Sequence, residues 1–208
     1  MKTANTWPPL VGSAECLKWS QRDLQNLEAV LRLTPGRRAV VQAGGNVGVF
    51  PKRLAVEFET VYTFEPDADL FAALVQNVSE RNVVKLQAAL GVDRGPIRVE
   101  CSRRDGSARA AHAGLTHVAG AGHLPSFRVD DLALPACDLI YLDVEGWELF
   151  ALQGAEQTLR RCRPVIAVEI NKQIAYSGAT AEQLRGYIVA HGYRHALTVN
   201  SDEVFTPL

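Results

Sequence analysis

The stretch "DLIYLDVEGWELF" places three carboxylates within six residues, Asp143, Glu145 and Glu148, directly after an apolar run. A strand ending at Asp143 delivers this acid to the edge of a buried sheet, where burial raises a carboxyl pKa toward the range of a general base. Glu145 and Glu148 fall at the start of the helix that follows, one helical turn apart. Complementing that helix N-terminus is their plain structural role, and for Glu148 it stands equal with a functional one. A fourth acid, Glu169, closes the next apolar run, "RPVIAVEIN", with Asn171 beyond it. Tips of adjacent strands are neighbours in space, so Glu169 and Asp143 are expected to face one pocket; their plain alternative is hydrogen bonding to loop amides. Carboxylates grouped in this way orient an acceptor, remove its proton, or hold a divalent ion.

A second group lies earlier, in "VVQAGGNVGVF". Gly44, Gly45 and Gly48, with Asn46 among them, let the backbone turn at positive φ and come close to a ligand, and the next helix aims its amides there. A tight strand-to-helix turn without a ligand is the competing explanation. Glu65 ends the next apolar run in "YTFEP", 17 residues after Gly48. An acid at that strand end accepts hydrogen bonds from both hydroxyls of a ribose, whereas an acid before a helix starting at Pro66 also suits the helix dipole. Loop and acid together favour a ribose-bearing cofactor. The histidines His112, His117 and His123 are spaced too irregularly for zinc. Arg103, Arg104 and Arg109 read as solvated, with an anionic ligand as the alternative.

Short apolar runs alternate with amphipathic stretches along the chain. "AVVQA", "TVYTF", "VVKLQAAL", "CDLIYLDV", "PVIAVEI" and "YRHALTV" read as strands. Helices are predicted at Ser20 to Leu33, Val47 to Phe58, Asp67 to Arg81, "GWELFALQGAEQTLRR" and "TAEQLRGYIVAHG". That alternation gives an α/β fold, a mostly parallel sheet covered by helices on both faces. Its ligands collect beyond the carboxyl ends of the strands, where these five acids and the glycine loop fall. Residues 1–36 form an N-terminal helical segment, and 37–208 the main domain. A β-hairpin and loop are inserted at about 91–128, with Gly95-Pro96 read as lying between the two hairpin strands.

The 208 residues suffice for one domain. A formal net charge of −1 gives no electrostatic reason for a nucleic-acid or membrane partner. The four cysteines form no CxxC pair, so free thiols are expected. Prolines interrupt the N-terminus where a signal peptide needs an apolar core, and no stretch reaches the roughly 18 to 20 apolar residues of a membrane span. A soluble cytoplasmic protein is the expectation.

Taken together, "VVQAGGNVG", "FEP", "LQAALG", "FRVDDL", "DLIYLDVEGWELFALQGA" and "PVIAVEI" resemble the FkbM-type S-adenosylmethionine-dependent methyltransferases, over about Arg38 to Ile170. The resemblance implies a Rossmann-like class I fold, with a seven-stranded sheet whose last strand is antiparallel. It implies that Gly44, Gly45, Asn46 and Gly48 wrap the methionine end of the cofactor and that Glu65 holds its ribose. Pro66 counts with these residues, and Ala88 and Ala89 lie near the adenine. Family members carry Asp or Glu before the glycines, where this chain has Gln42 and Ala43; Gln42 is expected to reach the cofactor by a neutral hydrogen bond. The implied reaction is O-methylation of a hydroxyl on a sugar or other small metabolite. Asp143 is the first candidate to orient or deprotonate the acceptor, then Glu169 and Glu145.

A site without metal is preferred over one in which these carboxylates hold a divalent ion. The expected partner is a small-molecule or glycan acceptor, recognised by Arg103 to His123. Trp7 and Trp19 are assigned to a pocket lid or a homodimer contact. Two alternatives stand beside this reading. An NAD(P)-dependent sugar oxidoreductase fits poorly, because Gly44-Gly45-x-x-Gly48 is not G-x-G-x-x-G and no tyrosine is followed four residues later by lysine. A non-catalytic module that keeps the fold rests on Gln42. Base methylation lacks an Asp/Asn-Pro-Pro-aromatic run and a Pro-Cys nucleophile.

Overall fold

A computed structural model describes residues 14–101 and 116–208. Trp7, Arg103, Arg104, Arg109 and His112 lie outside the described residues, as do the side chains of Trp19 and His117. The chain opens with α1 (Ala14–Leu33), β1 (Ala39–Ala43), α2 (Val49–Leu54), β2 (Thr60–Phe64), α3 (Ala68–Asn77) and β3 (Val83–Leu86). Short strands follow: β4 (Ala89–Leu90), β5 (Ile97–Cys101), β6 (Thr116–Ala121) and β7 (Ser126–Phe127). The second half holds β8 (Leu139–Leu142), α4 (Glu148–Gln153), α5 (Glu156–Cys162), β9 (Val165–Glu169), α6 (Ala181–Ala190), β10 (Tyr193–Val199) and β11 (Asp202–Pro207).

Seven strands form the central sheet in the order β10-β11-β9-β8-β1-β2-β3. Strands β1, β2, β3, β8 and β9 pair in parallel, and β11 runs antiparallel to both β9 and β10. This is the expected class I arrangement. The chain builds outward from β1 to β3 and then returns to place β8 on the other side of β1. The strand order therefore reverses between β1 and β8, and their carboxyl ends form the crevice.

Alternation along the central strands sorts the core onto two faces. Val41, Ala43, Ile140, Leu142, Ile166 and Val168 pack with Leu149, Leu152, Leu159, Leu184 and Ile188 of α4, α5 and α6. Val40, Leu139, Tyr141, Val165 and Ala167 pack on the opposite side with Leu27, Val30 and Leu31 of α1, and with α2 and α3. Every residue of β1 and β8 is buried. Neither strand can slip by one residue without moving Gln42 or Asp143 to the wrong face, so the register is firmly specified.

Local chemistry explains where elements stop and where the sequence expectations differ. The predicted helix "GWELFALQGAEQTLRR" is two helices, broken at Gly154. A Cβ there would fall 2.0 Å from the Gly91 carbonyl oxygen. Asp130 then takes over as a cap for α5, accepting from Gln157 N at 2.9 Å and Thr158 N at 2.8 Å. "VVKLQAAL" divides into β3 and β4, because β4 leaves the main sheet to pair with β7. Gly95-Pro96 precedes the hairpin instead of turning it: β5 pairs antiparallel with β6, fifteen positions later in the chain. Among the described residues, no helix is long and apolar enough to cross a membrane.

Candidate active site

Pairing across the sheet lines up the predicted acids. Ala43 is level with Leu142, and Leu142 with Val168, so Gly44, Asp143 and Glu169 follow side by side at the carboxyl edge. Asp202 of β11 is level with Glu169 and extends the row. Sequence reading missed Asp202. Its partner is set by an antiparallel pairing of the last strand, and "NSDEVF" has no apolar run before the acid to mark a strand end.

The glycine loop is shaped by its neighbours. Gly44 has φ +84°, and a Cβ on it would lie 1.9 Å from the Asp143 carbonyl oxygen. Gly44 N and Gly45 N both donate to the Phe64 carbonyl, at 3.0 and 2.9 Å, which bends the chain toward β2. Gly45 has no room for a side chain beside Leu74 and Thr63. The protein's own packing therefore demands these glycines, in addition to any demand from a ligand.

Glu65 stands where the sequence put it, at the tip of β2, and is 5% exposed. Its Oε2 accepts from Asn46 N at 2.8 Å and its Oε1 from Asp67 N at 2.9 Å, which ties the loop to the strand tip. Each oxygen retains a lone pair for one further donor. Burial pushes the carboxyl up to about 7, against the two backbone hydrogen bonds that favour its charged form. Pro66 is half-buried beside it, while Ala88 and Ala89 are buried.

Gln42 is engaged within the protein. It is 1% exposed, Nε2 donates to the Gly44 carbonyl at 2.8 Å, and Oε1 accepts from Thr63 Oγ1 at 2.5 Å. Gln42 and Thr63 face each other across the β1–β2 ladder. The amide braces the loop from within, and both ends of it are engaged by the protein.

On the other side of Gly44, single oxygens of Asp143, Glu145 and Glu169 lie within 4.8 Å of one another. Glu145 is in the left-handed region at φ +54°, and Gly146 follows at φ +98°, where a Cβ would fall 2.1 Å from the Gln173 carbonyl oxygen. Two supports hold the group. Glu169 Oε2 accepts from Asn171 Nδ2 at 2.6 Å, and Oε1 from Ser201 Oγ at 2.9 Å. Glu148, 1% exposed, accepts at Oε1 from Val144 N at 3.0 Å and Gly146 N at 3.2 Å. Glu148 thus clasps the loop that carries Asp143 and Glu145.

The electrostatics follow from crowding acids in a dry place. Burial raises Asp143 well above the carboxylate range, with Glu169, Glu145 and Asp202 adding repulsion. Burial, then Glu169 and Glu148, push Glu145 up to about 8. Burial also brings Glu148 to about 7, against the backbone N–H groups that favour its charge. Asp143 keeps some accessible surface although its carboxyl is packed round by protein atoms. A carboxyl raised by burial at a strand end is a stronger base, once ionised, than an ordinary carboxylate, which suits it to accept a proton from a weakly acidic group. The described residues therefore bring Asp143, Glu145 and Glu169 together on one side of Gly44, and Glu65 with the glycine loop on the other.

Comparison with known proteins agrees with this geometry. The family model described as the methyltransferase FkbM domain matches residues 43–195. No curated protein matches the chain significantly. Among solved structures, precorrin-6y C5,15-methyltransferase from Geobacter metallireducens GS-15 is 10% identical, covers 98% of this chain and 93% of its own, and superposes with a TM-score of 0.55. Magnesium protoporphyrin IX methyltransferase from Synechocystis PCC 6803 with bound SAH is 9% identical, with 97% and 90% covered and a TM-score of 0.53. An FkbM methyltransferase from Methylobacillus flagellatus KT is 17% identical, with a TM-score of 0.48. The match covers 81% of this chain but 43% of that one, so the chain spans under half the length of that relative.

Proposed function

Since the chain belongs to the FkbM methyltransferase family, we propose that it transfers the methyl group of S-adenosylmethionine to a hydroxyl oxygen of a sugar or other small metabolite. The observation that carries this reading is the carboxyl cluster of Asp143, Glu169 and Glu145 beside the glycine loop, at the switch point of the sheet. The residues fit the cofactor. Glu65 offers two desolvated acceptor oxygens of the kind a ribose diol satisfies. The loop of Gly44, Gly45, Asn46 and Gly48 follows β1 directly, next to the switch point between β1 and β8.

When bound, S-adenosylmethionine supplies the methyl carbon on a sulfonium and leaves as S-adenosylhomocysteine, the C–S bond breaking with its electron pair on sulfur. Glu65 binds the ribose hydroxyls. Asp143, next to Gly44 and partly accessible, orients the acceptor hydroxyl and takes its proton at a carboxylate oxygen. Glu145 and Glu169 keep that carboxylate basic by repulsion. Glu148 and Ser201 fix the carriers of these groups, so that oxygen and methyl carbon meet in line; such positioning is the main task of the protein in a displacement of this kind. A small-molecule or glycan acceptor, with its specificity assigned to Arg103 to His123, belongs to the same proposal, as does a cytoplasmic location.

A second reading, a module that binds the cofactor without turnover, draws on Gln42, whose amide is engaged inside the protein and supplies no charge toward a ligand ammonium. Calorimetric titration with S-adenosylhomocysteine, with NAD(P) as comparison, is the first test. The proposal expects saturable binding of S-adenosylhomocysteine, weakened at least about tenfold in Glu65→Ala, which removes both ribose acceptors. Absence of binding, or preference for NAD(P), refutes it. Binding followed by no methylation of any hydroxylated acceptor supports the module.

A further inference from the structure

We infer that Trp147, stacked on Phe150, is the platform on which the acceptor lies, and that the acceptor is a sugar ring with one apolar face. Its place in the reaction rests on the methyltransfer reading above, whose acceptor class it narrows.

The pair stands apart from the core. Trp147 and Phe150 are half-buried, with ring centroids 4.4 Å apart and planes inclined by 28°. The stripe that α4 buries is Glu148, Leu149, Ala151 and Leu152, and the two rings, three residues apart, lie off it. Neither ring belongs to the two apolar clusters that fill the domain. An aromatic side chain stabilises a fold most when fully buried. Two of them left half-buried, on the loop and helix that follow a catalytic strand end, are suited to hold a ligand.

Position ties the pair to the reacting oxygen. Trp147 N donates to the Val144 carbonyl at 3.3 Å and so closes the turn that follows Asp143. Such a turn keeps its end Cα atoms within about 7 Å of each other. One ring-sized ligand can therefore touch Trp147 and also the carboxylate that takes its proton. The turn is fixed from two sides. Glu148 accepts from Val144 N at 3.0 Å and Gly146 N at 3.2 Å, and Gly146 packs against Gln173 without room for a Cβ. The indole nitrogen neighbours Gly91, where a Cβ would lie 3.5 Å from Trp147 Nε1. Gly91 opens the insertion to which acceptor specificity is assigned, and β6 of that insertion packs against Lys172–Ser177, the turn after β9. Trp147 thus joins the catalytic turn to the insertion.

The chemistry of the indole selects the ligand. Its face carries negative charge density, which attracts the C–H bonds along the apolar face of a sugar ring. Its N–H can only donate, and among the described residues it makes no hydrogen bond. A hydroxyl or the ring oxygen of the acceptor satisfies it. An open-chain polyol brings hydroxyls but no flat face, so the platform does not hold it.

The test is saturation-transfer NMR on the full chain with the methyl glycosides of glucose, galactose, mannose and rhamnose. Sorbitol is the open-chain comparison, and each is measured with and without S-adenosylhomocysteine. Trp147→Ala is measured alongside, its folding checked by circular dichroism and its S-adenosylhomocysteine affinity by calorimetry. The wild type should transfer saturation to the C–H protons of one ring face in at least one glycoside, and none to sorbitol. Trp147→Ala should weaken that glycoside at least about tenfold, with S-adenosylhomocysteine affinity changed by less than about twofold. If this variant does not fold, Trp147→Leu, which keeps apolar bulk without the π face, takes its place. No transfer to any glycoside, or transfer unchanged in the variant, overturns the platform. So does a variant that loses S-adenosylhomocysteine binding, because the indole then lies against the cofactor. S-adenosylhomocysteine binding without glycoside binding removes the platform and leaves the methyltransfer reading standing. Glycoside binding that depends on Trp147, in a protein that does not bind S-adenosylhomocysteine, keeps the platform and removes the methyltransfer reading.

Discussion

Replacing Glu148 with Gln should make the metal-free protein more stable, and more so as the pH rises. Glu148 Oε1 accepts from Val144 N and Gly146 N, and a glutamine oxygen preserves both bonds. The other oxygen has no partner and lies near Glu145 and Glu169. An amide there removes one buried negative charge and turns N–H dipoles toward the remaining acids. Burial raises this carboxyl from its ordinary 4.5 to about 7. A carboxyl raised on folding contributes favourably below its unfolded value, and that contribution is lost as the pH climbs through the folded one. Wild-type stability should therefore fall between about pH 4.5 and 7 through this group. At 1.36 kcal/mol per unit, the loss at pH 8 amounts to roughly 3 kcal/mol, and at pH 5 to under about 1 kcal/mol. The glutamine variant should escape it. Urea unfolding in EDTA, followed by tryptophan fluorescence at pH 5 and pH 8, measures the difference. A variant no more stable than wild type at pH 8, or stabilised equally at both values, would refute the reasoning, because either result means that ionised Glu148 is not held in a desolvated site.

Three further outcomes follow from the packing. Gly44→Ala puts a Cβ 1.9 Å from the Asp143 carbonyl at φ +84°, so urea unfolding should show a loss of about 3 kcal/mol or more, together with weaker S-adenosylhomocysteine binding. Leu142→Ala empties a fully buried position between β1 and β9 and should cost about 2 to 5 kcal/mol in the same assay. Asn26, 2% exposed, donates to Asp202 at 3.1 Å and accepts from Asn200 at 2.7 Å. Asn26→Ala should lose about 1 to 3 kcal/mol, and an unchanged urea midpoint would show that this network carries no net stability.

Much of the architecture was legible in the sequence because its signals are local. β1, β2 and β10 match their predicted spans residue for residue, each an apolar or alternating run bounded by breakers. Helices were legible in type but less so in extent. α2 and α3 are shorter than their apolar periodicity suggests, since Asp67 caps α3 through Asp69 N and Leu70 N and Asn77 ends it. The split between α4 and α5 depends on Gly91 and Asp130, both distant in the chain, and no window around Gly154 contains them.

The site divides in the same manner. Asp143, Glu169 and Glu65 were identifiable because each ends an apolar strand, and a strand end is a property of a few consecutive residues. The sequence by itself therefore determined which acids stand at the carboxyl edge and which loop bends beside them. Tertiary structure decided what those groups touch. The antiparallel β11 sets Asp202 and Ser201 against Glu169, and cross-strand pairing turns Gln42 inward to Thr63. A left-handed Glu145 and a partnerless Glu148 oxygen arise only where the loop after β8 packs on Gln173. Register, desolvation and charge crowding depend on distances between residues far apart in the chain, so they come into being only when the sheet closes.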